Sequence, residues 1–334
     1  MKVLVTGGAG YLGSITSKAL EQAGHTPVLL DSLLVGPRQF TEGRTFYEGD
    51  IADRALVRRV VDENPEIEAT IHMAARIVVP ESVELPYEYY RDNVAKSLEL
   101  FDELEKLGKP RILFSSTASL YALQPAFEVR ETDEVAPTSP YARTKRMMEQ
   151  VLEDIAKATT LRAIILRYFN PIGTDPDLET GYHVKDATHV VPLLAQTALG
   201  YRESFTITGT DLPTRDGTGI RDYIHAWDLA KAHVRGVERF DEVIEAEGAP
   251  YSYINIGGGD GVTVKELIAA VERVVGKPVP TTEAPPRPGD GVGAFANADK
   301  AAALLDWRTE ATLDEAIASA LAWGEKRKSV LGYE

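Results

Sequence analysis

The segment Thr6-Gly7-Gly8-Ala9-Gly10-Tyr11-Leu12-Gly13 follows the apolar run Val3 to Thr6 without a break and opens an amphipathic stretch. Glycine at 7, 10 and 13 allows a tight turn, close approach of backbone to a pyrophosphate and close packing of a helix on a strand. The amino end of that helix then stabilises the negative charge. A glycine-rich turn that holds nothing is the alternative. Context argues against it, because the motif sits between strand and helix and Asp31 closes the second apolar run about twenty residues on. The reading is a dinucleotide-binding turn. A carboxylate at Asp31 accepts from both ribose hydroxyls and repels a 2′-phosphate, which favours NAD over NADP; Arg38 nearby weakens that preference.

Downstream, short β-branched runs alternate with longer amphipathic ones. Val28 to Asp31, Phe46 to Asp50, Ala69 to Ala74, Ile112 to Ser116 and Ala163 to Tyr168 read as strands. Between them, helices are expected from about Ser14 to Ala23, Arg54 to Asp62 and Tyr87 to Leu107, stopped by Gly24, Pro65 and Gly108-Lys109-Pro110. Such alternation predicts an α/β fold: a doubly wound parallel Rossmann sheet whose ligand crevice lies at the carboxyl ends of the strands. Beyond Asn170 the pattern loosens into loops rich in Gly, Pro, Asp and Thr, so a second, smaller α/β domain for substrate is expected. The helix after Asp228 and the strand Tyr253 to Gly257 read as returns to the first sheet. The division is therefore residues 1–170 with about 221–257 for the dinucleotide, and about 171–220 with 258–334 for substrate.

Composition limits the partners. A chain of 334 residues, 44% hydrophobic and with a formal charge of −15, can bury a large core but repels nucleic acid and anionic lipid. Any anionic ligand needs local arginines and backbone NH groups. The absence of cysteine suits a reducing compartment, with the cytoplasm as the expectation, and no signal peptide or membrane span is read. His25, His72, His183, His189, His225 and His233 show neither HxxxH nor HxH spacing, so no metal is assigned.

Tyr141 and Lys145 lie four apart in a helix expected to begin after Pro140, and so share one face. Tyrosine is a poor base at its ordinary pKa of about 10, but an adjacent ammonium and a positive nicotinamide ring both favour the phenolate. Taken alone, the spacing fits a solvated helix surface equally well. Ser115, Ser116 and Thr117 at the end of the fifth run offer hydroxyls to the same substrate oxygen, and Asn93 lies in the preceding long helix.

TGGAGYLGS (Thr6 to Ser14), FSSTASLY (Phe114 to Tyr121), SPYARTK (Ser139 to Lys145), LRYFNPIG (Leu166 to Gly173) and DLPTRDGTGIRDYIHAWDLAKAH (Asp211 to His233) together resemble the UDP-glucose 4-epimerases of the extended short-chain dehydrogenase/reductase, or NAD-dependent epimerase/dehydratase, family. The resemblance runs along essentially the whole chain. It implies Thr117, Tyr141 and Lys145 as the catalytic trio, with Tyr141 the base that takes the proton from a sugar 4-hydroxyl while C4 is oxidised. It further implies NAD contacts at Gly7, Gly10, Tyr11, Leu12, Gly13, Asp31, Asp50, Ile51, Met73, Ala74, Ala75, Asn93, Ser115, Tyr141, Lys145 and Tyr168. Read from the residues alone, Gly49-Asp50-Ile51 fits an ordinary solvated turn just as well.

For a UDP-sugar, the resemblance implies contacts from Thr117, Asn170, His189, Arg221, Arg287, Asp290 and Ala294. Surface ion pairs, Arg221 with Asp222 and Arg287 with Asp290, are the alternative for the two arginines, and a structural role is the alternative for His189. Two positions depart from relatives. Ile77 stands where some members carry a cofactor-reaching Lys, and Ala294 stands where members selective for plain hexoses carry Tyr, which extends the expected substrates to UDP-GalNAc and UDP-GlcNAc. Thr117-Ala118-Ser119 lacks the Asp-Glu pair that dehydration needs, whereas a UDP-uronic acid 4-epimerase stays open as an alternative. In the family the helices around Tyr87 to Leu107 and Tyr141 to Lys157 pair with their counterparts, which implies a homodimer.

Overall fold

The computed structural model describes residues 1–185, 189–286 and 292–332. Its first half runs β1 (Lys2–Thr6), α1 (Tyr11–Gln22), β2 (Thr26–Asp31), β3 (Thr45–Glu48), α2 (Arg54–Glu63), β4 (Ile67–His72), α3 (Val79–Glu84), α4 (Pro86–Tyr90), α5 (Lys96–Lys106), β5 (Arg111–Ser115), β6 (Glu128–Val129), α6 (Pro140–Ala158) and β7 (Arg162–Tyr168). There follow β8 (Asn170–Ile172), α7 (Val190–Ala198), β9 (Phe205–Thr208), β10 (Ile220–His225), α8 (Ala226–Glu238), α9 (Phe240–Glu247), β11 (Tyr251–Ile256), β12 (Gly261–Thr263), α10 (Val264–Val275), β13 (Thr281–Ala284), β14 (Gly293–Ala296), α11 (Asp299–Leu305) and α12 (Leu313–Leu331).

Seven parallel strands form the main sheet in the order β11-β7-β5-β4-β1-β2-β3. Strand order reverses between β1 and β4, which puts the ligand crevice above the end of β1, where the glycine turn begins. Both faces of this sheet are covered, so the central strands β1, β5 and β7 are buried along nearly their whole length. On one face α1 and α8 pack together, with Ile15 and Leu20 against Leu229, Val234 and Val237. The other face carries Val57 and Val60 of α2, Phe101 and Leu104 of α5, and Met148 and Leu152 of α6. As the sequence indicates, α8 and β11 return to this sheet.

The stretch expected as one long helix from Tyr87 to Leu107 is α4, a π-helical turn at Arg91–Ala95 and α5 in succession. Its periodicity is helical throughout, so the wider turn leaves no trace in the hydrophobic pattern. Asn93 lies in that turn.

A second layer forms from residues beyond β7 together with β6. β12, β10, β14 and β6 line up as a sheet with β8 paired to β10, while β9 and β13 make a separate parallel pair. Leu194 of α7, Val271 of α10 and Ile317 of α12 close a distinct core. β10, placed by the sequence reading with the dinucleotide-binding part, belongs to this second sheet, because its register runs against β8, β12 and β14. Lys18 of α1 pairs with Asp177 at 3.0 Å and Glu179 at 2.6 Å, and Tyr11 donates to the Gly173 carbonyl at 2.7 Å, so the two layers are tied near the glycine turn.

Candidate active site

Each glycine of the turn has a separate reason. Gly7 adopts φ +72°, and a Cβ there would lie 2.7 Å from the Ala74 nitrogen; the loop Met73-Ala74-Ala75 leaving β4 is packed directly on it. A Cβ on Gly13 would fall 2.1 Å from the Gly7 carbonyl oxygen, so this glycine lets α1 press onto the turn. Gly10 is the N-cap of α1 in extended conformation, with no side chain spent on capping, which leaves the helix amino end available to an anion.

Asp31, at the end of β2, accepts from the Ala9 amide at 3.0 Å and the Leu33 amide at 2.8 Å. Burial pushes its carboxyl up, against the pull of those amides. A carboxylate held against the glycine turn fits a ribose with free hydroxyls and opposes a phosphate at the same place. Arg38, the residue that weakened the NAD preference, is ion-paired with Glu48 and lies over the Phe46 ring, so its charge is already answered. Asp50 accepts from the Ala52 amide and from Lys96 at 2.5 Å, and Ile51 is buried behind it. These features together fit a dinucleotide laid across the β1–β4 switch point.

Asn93 acts on the loop over the crevice. Its side-chain oxygen accepts from the Arg76 amide at 2.7 Å, and its nitrogen donates to the Arg76 carbonyl and to Thr144. Both donors are consumed in bracing residues 73–76 against α6. Ile77, at the position that carries a Lys in some relatives, is half exposed.

At the carboxyl end of β5, Thr117 meets α6. Ser139 caps α6 and Pro140 occupies its first turn, which sets the helix so that Tyr141 and Lys145 both point inward and are buried. The ordinary helix-surface alternative is thereby excluded. Lys145 donates to the Ser115 carbonyl at 2.8 Å, with its nitrogen 4.9 Å from the centre of the Phe114 ring. Burial pushes Tyr141 up to about 12, with a hydrogen bond to Thr117 pulling the other way; burial likewise pushes Lys145 down to about 7, opposed by Glu149. In the protein by itself desolvation wins and each group tends to its neutral form.

The three hydroxyls expected to share one substrate oxygen also separate. Ser115 Oγ lies 3.1 Å from Nε2 of His233, and Ser116 donates to Glu149 at 2.6 Å. Only Thr117 stays with Tyr141. Tyr168, at the end of β7, hydrogen-bonds Ser115, and burial pushes its hydroxyl well above the ordinary tyrosine range.

On the second sheet, Arg221 donates to the carbonyls of Ile220 at 2.8 Å and Val292 at 2.9 Å. The Arg221–Asp222 ion pair is not formed: Asp222 is fully buried and accepts from the amides of Gly258, Gly259 and Ala296. Successive residues of a strand face opposite ways, which is the reason for the separation. Ala294 is half-buried on β14 directly beside Arg221. The close approach needs glycine next door, since a Cβ on Gly293 would stand 1.7 Å from the Ile220 oxygen. Asn170 donates to the Asp222 carbonyl at 3.0 Å, and His189 precedes α7 with its ring edge-on to Tyr182, which in turn stands edge-on to Tyr11. Arg287 and Asp290 lie outside the described residues. Among the described residues no helix is long and apolar enough to cross a membrane.

The sequence reading missed the buried polar groups behind the trio: Glu149, Arg167, Tyr121 and His233. One signal was present, an arginine in the otherwise apolar run Ile164-Ile165-Leu166-Arg167, since an unpaired charge in a covered strand is too costly to keep.

The model of the NAD dependent epimerase/dehydratase family matches residues 3–257. The chain belongs to that family. Within it, a UDP-glucose 4-epimerase of Rhizobium leguminosarum bv. trifolii is 41% identical over 324 residues, 97% of each chain. A UDP-glucose 4-epimerase from Stenotrophomonas maltophila, solved with NAD and formylated UDP-arabinopyranose, superposes with TM-score 0.92 at 34% identity, covering 98% of this chain and 99% of that one. The enzyme of Bifidobacterium longum, solved with NAD+ and UDP, gives 0.90 at 35% identity over 98% of each.

Proposed function

We propose that this member of the family is an isomerase that epimerises C4 of a UDP-hexose, interconverting UDP-galactose and UDP-glucose with bound NAD. The observation that carries the reading is the burial of Tyr141 and Lys145 on one face of α6, with Thr117 beside Tyr141 and Lys145 bonded to the end of β5, next to the glycine turn. Its likeness to UDP-glucose 4-epimerases over nearly the full chain supports it.

NAD, when bound, supplies the reversible oxidation, taking two electrons and the C4 hydrogen from the sugar and returning them to either face of the resulting ketone. Tyr141 takes the 4-hydroxyl proton and gives it back. Thr117 holds the same oxygen, and its hydrogen bond already favours the phenolate form of Tyr141. Lys145, when protonated, lowers the cost of that phenolate further. Burial of all three excludes water, so the proton returns to the sugar and the ketone is not lost to solvent.

Residues of the seven-stranded sheet hold NAD, and the second layer holds the UDP-sugar, with Asn170, His189, Arg221, Arg287 and Asp290 around the nucleoside diphosphate. Arginine forks are the strong form of such contacts. The small side chain at Ala294 leaves room for an N-acetyl group, which adds UDP-GalNAc to the substrates. The chain works as a homodimer through α5 and α6, whose Leu98 and Met147 are exposed apolar residues. Its lack of cysteine suits the cytoplasm.

The test is incubation with UDP-galactose, UDP-GalNAc and UDP-galacturonate separately, with identification of products. Turnover of the first two is expected; turnover of none overturns the reading, and turnover of the uronate alone reassigns the substrate. Ala294→Tyr is expected to abolish UDP-GalNAc turnover while sparing UDP-galactose.

A further inference from the structure

Glu149 lies on α6 one turn beyond Lys145 and two beyond Tyr141, on the same face, and is completely buried. Its carboxylate receives four hydrogen bonds from three elements. Ser116 donates to Oε1 at 2.6 Å; Arg167 donates through Nε to Oε1 at 3.0 Å and through Nη2 to Oε2 at 2.8 Å; Arg146 donates to Oε2 at 3.1 Å. Arg167 is itself fixed. Its guanidinium carbon stands 4.2 Å from the centre of the Tyr253 ring and 5.1 Å from that of Tyr121, and its Nη1 donates to the Tyr121 hydroxyl.

What these bonds join is informative. Ser116 is the residue between Ser115, whose carbonyl holds Lys145, and Thr117, which lies beside Tyr141. Arg167 immediately precedes Tyr168, which lies beside Ser115. The ends of β5 and β7 are thus clamped to the helix that carries the base, all through one carboxylate. An ion pair this deeply buried adds little to stability compared with well-packed apolar residues, so its worth lies in the geometry it imposes.

We propose that Glu149 is a positioning residue that sets Thr117 against Tyr141 by holding Ser116 through its hydroxyl. This rests on the epimerase reading above. Glu149 touches no reacting atom. It acts by removing the freedom of the β5 end to drift away from α6, and a displacement of about 1 Å at a reacting centre costs on the order of a hundredfold in rate.

The experiment uses the NAD-loaded enzyme turning over UDP-galactose, in four forms: wild type, Ser116→Ala, Glu149→Gln and the double variant. Ser116→Ala removes a single hydrogen bond and leaves the Glu149–Arg167 fork in place. It is expected to lower kcat about tenfold, and Glu149→Gln about a hundredfold, each with KM within about twofold and NAD content unchanged, because a purely structural loss would not fall on kcat alone. The double variant is expected to be no slower than Glu149→Gln, since the two residues act through the same bond. Wild-type kcat in Ser116→Ala, or losses that multiply in the double variant, overturns the proposal. Should Glu149→Gln fail to fold, Ser116→Ala alone decides. Inactivity of the wild type would instead overturn the epimerase reading, a separately visible result.

Discussion

Tyr141→Phe removes one oxygen from a buried side chain whose ring packing is retained. The variant is expected to fold and keep its NAD while losing about 10²–10⁴-fold in kcat on UDP-galactose, the range for a positioned acid–base group; bound cofactor by absorbance and turnover by product analysis check both halves. Gly7→Ala acts at a different step. With φ +72° and Ala74 at 2.7 Å from the new Cβ, the turn and the loop after β4 cannot both keep their places, so NAD retention is expected to fall while Thr117, Tyr141 and Lys145 stay in place. A purified Gly7→Ala protein with a full complement of NAD would refute this. At this scale the sequence revealed residue types at suggestive spacings and little of their hydrogen bonding. Tyr141 and Lys145 were legible as one helix face, whereas Thr117 was marked out among its neighbouring hydroxyls by the family resemblance. The diversion of Ser115 to His233 and of Ser116 to Glu149 was not legible, since those partners lie 118 and 33 residues away.

Among the elements, the boundaries of β1, α1, β2 and α6 follow from local chemistry: glycine turn, Asp31, Ser139-Pro140. The π-helical turn does not, because it changes hydrogen bonding without changing which residues are apolar. The second layer was the least readable part. Its strands β8, β12 and β14 span three or four residues each, too few to show alternation, and they pair across long intervals of chain. Helix α12 shows how local signals still operate there. Thr312 accepts from the Glu315 amide, and the Glu315 carboxylate accepts from the Thr312 amide. Thr312→Ala is expected to cost about 1 kcal/mol, read as a lower urea midpoint with an unchanged slope, and to leave turnover unaffected.

For the molecule as a whole, three buried histidines contribute to the response to acid, opposed by Asp31 and Asp222, whose carboxyls burial pushes up. Burial holds His72 at about 3, and His183 and His233 at about 4, all below the usual value of 6.5. Between pH 6.5 and 4 the unfolded chain takes up protons at these positions and the folded chain does not, so stability is present in full above pH 6.5 and falls as pH drops through that window. Urea midpoints measured from pH 7 to pH 4 are expected to decline steeply, and His233→Asn is expected to flatten the decline by about one proton. A flat profile across the window would show that these histidines are charged in the fold.

The parallel edge strand β11 carries a consequence for synthesis. Six of the seven strands are complete when residue 168 has been made, yet the edge of β7 is closed only when Tyr251–Ile256 arrives after the entire β8 to α9 excursion. At ribosomal rates that interval is on the order of ten seconds. During it, the backbone of the apolar run Ala163-Ile164-Ile165-Leu166 offers unpaired amides and carbonyls to whatever strand comes near. The nascent chain is therefore most exposed to wrong pairing at the strand whose far end will carry Arg167 and Tyr168 to the active site.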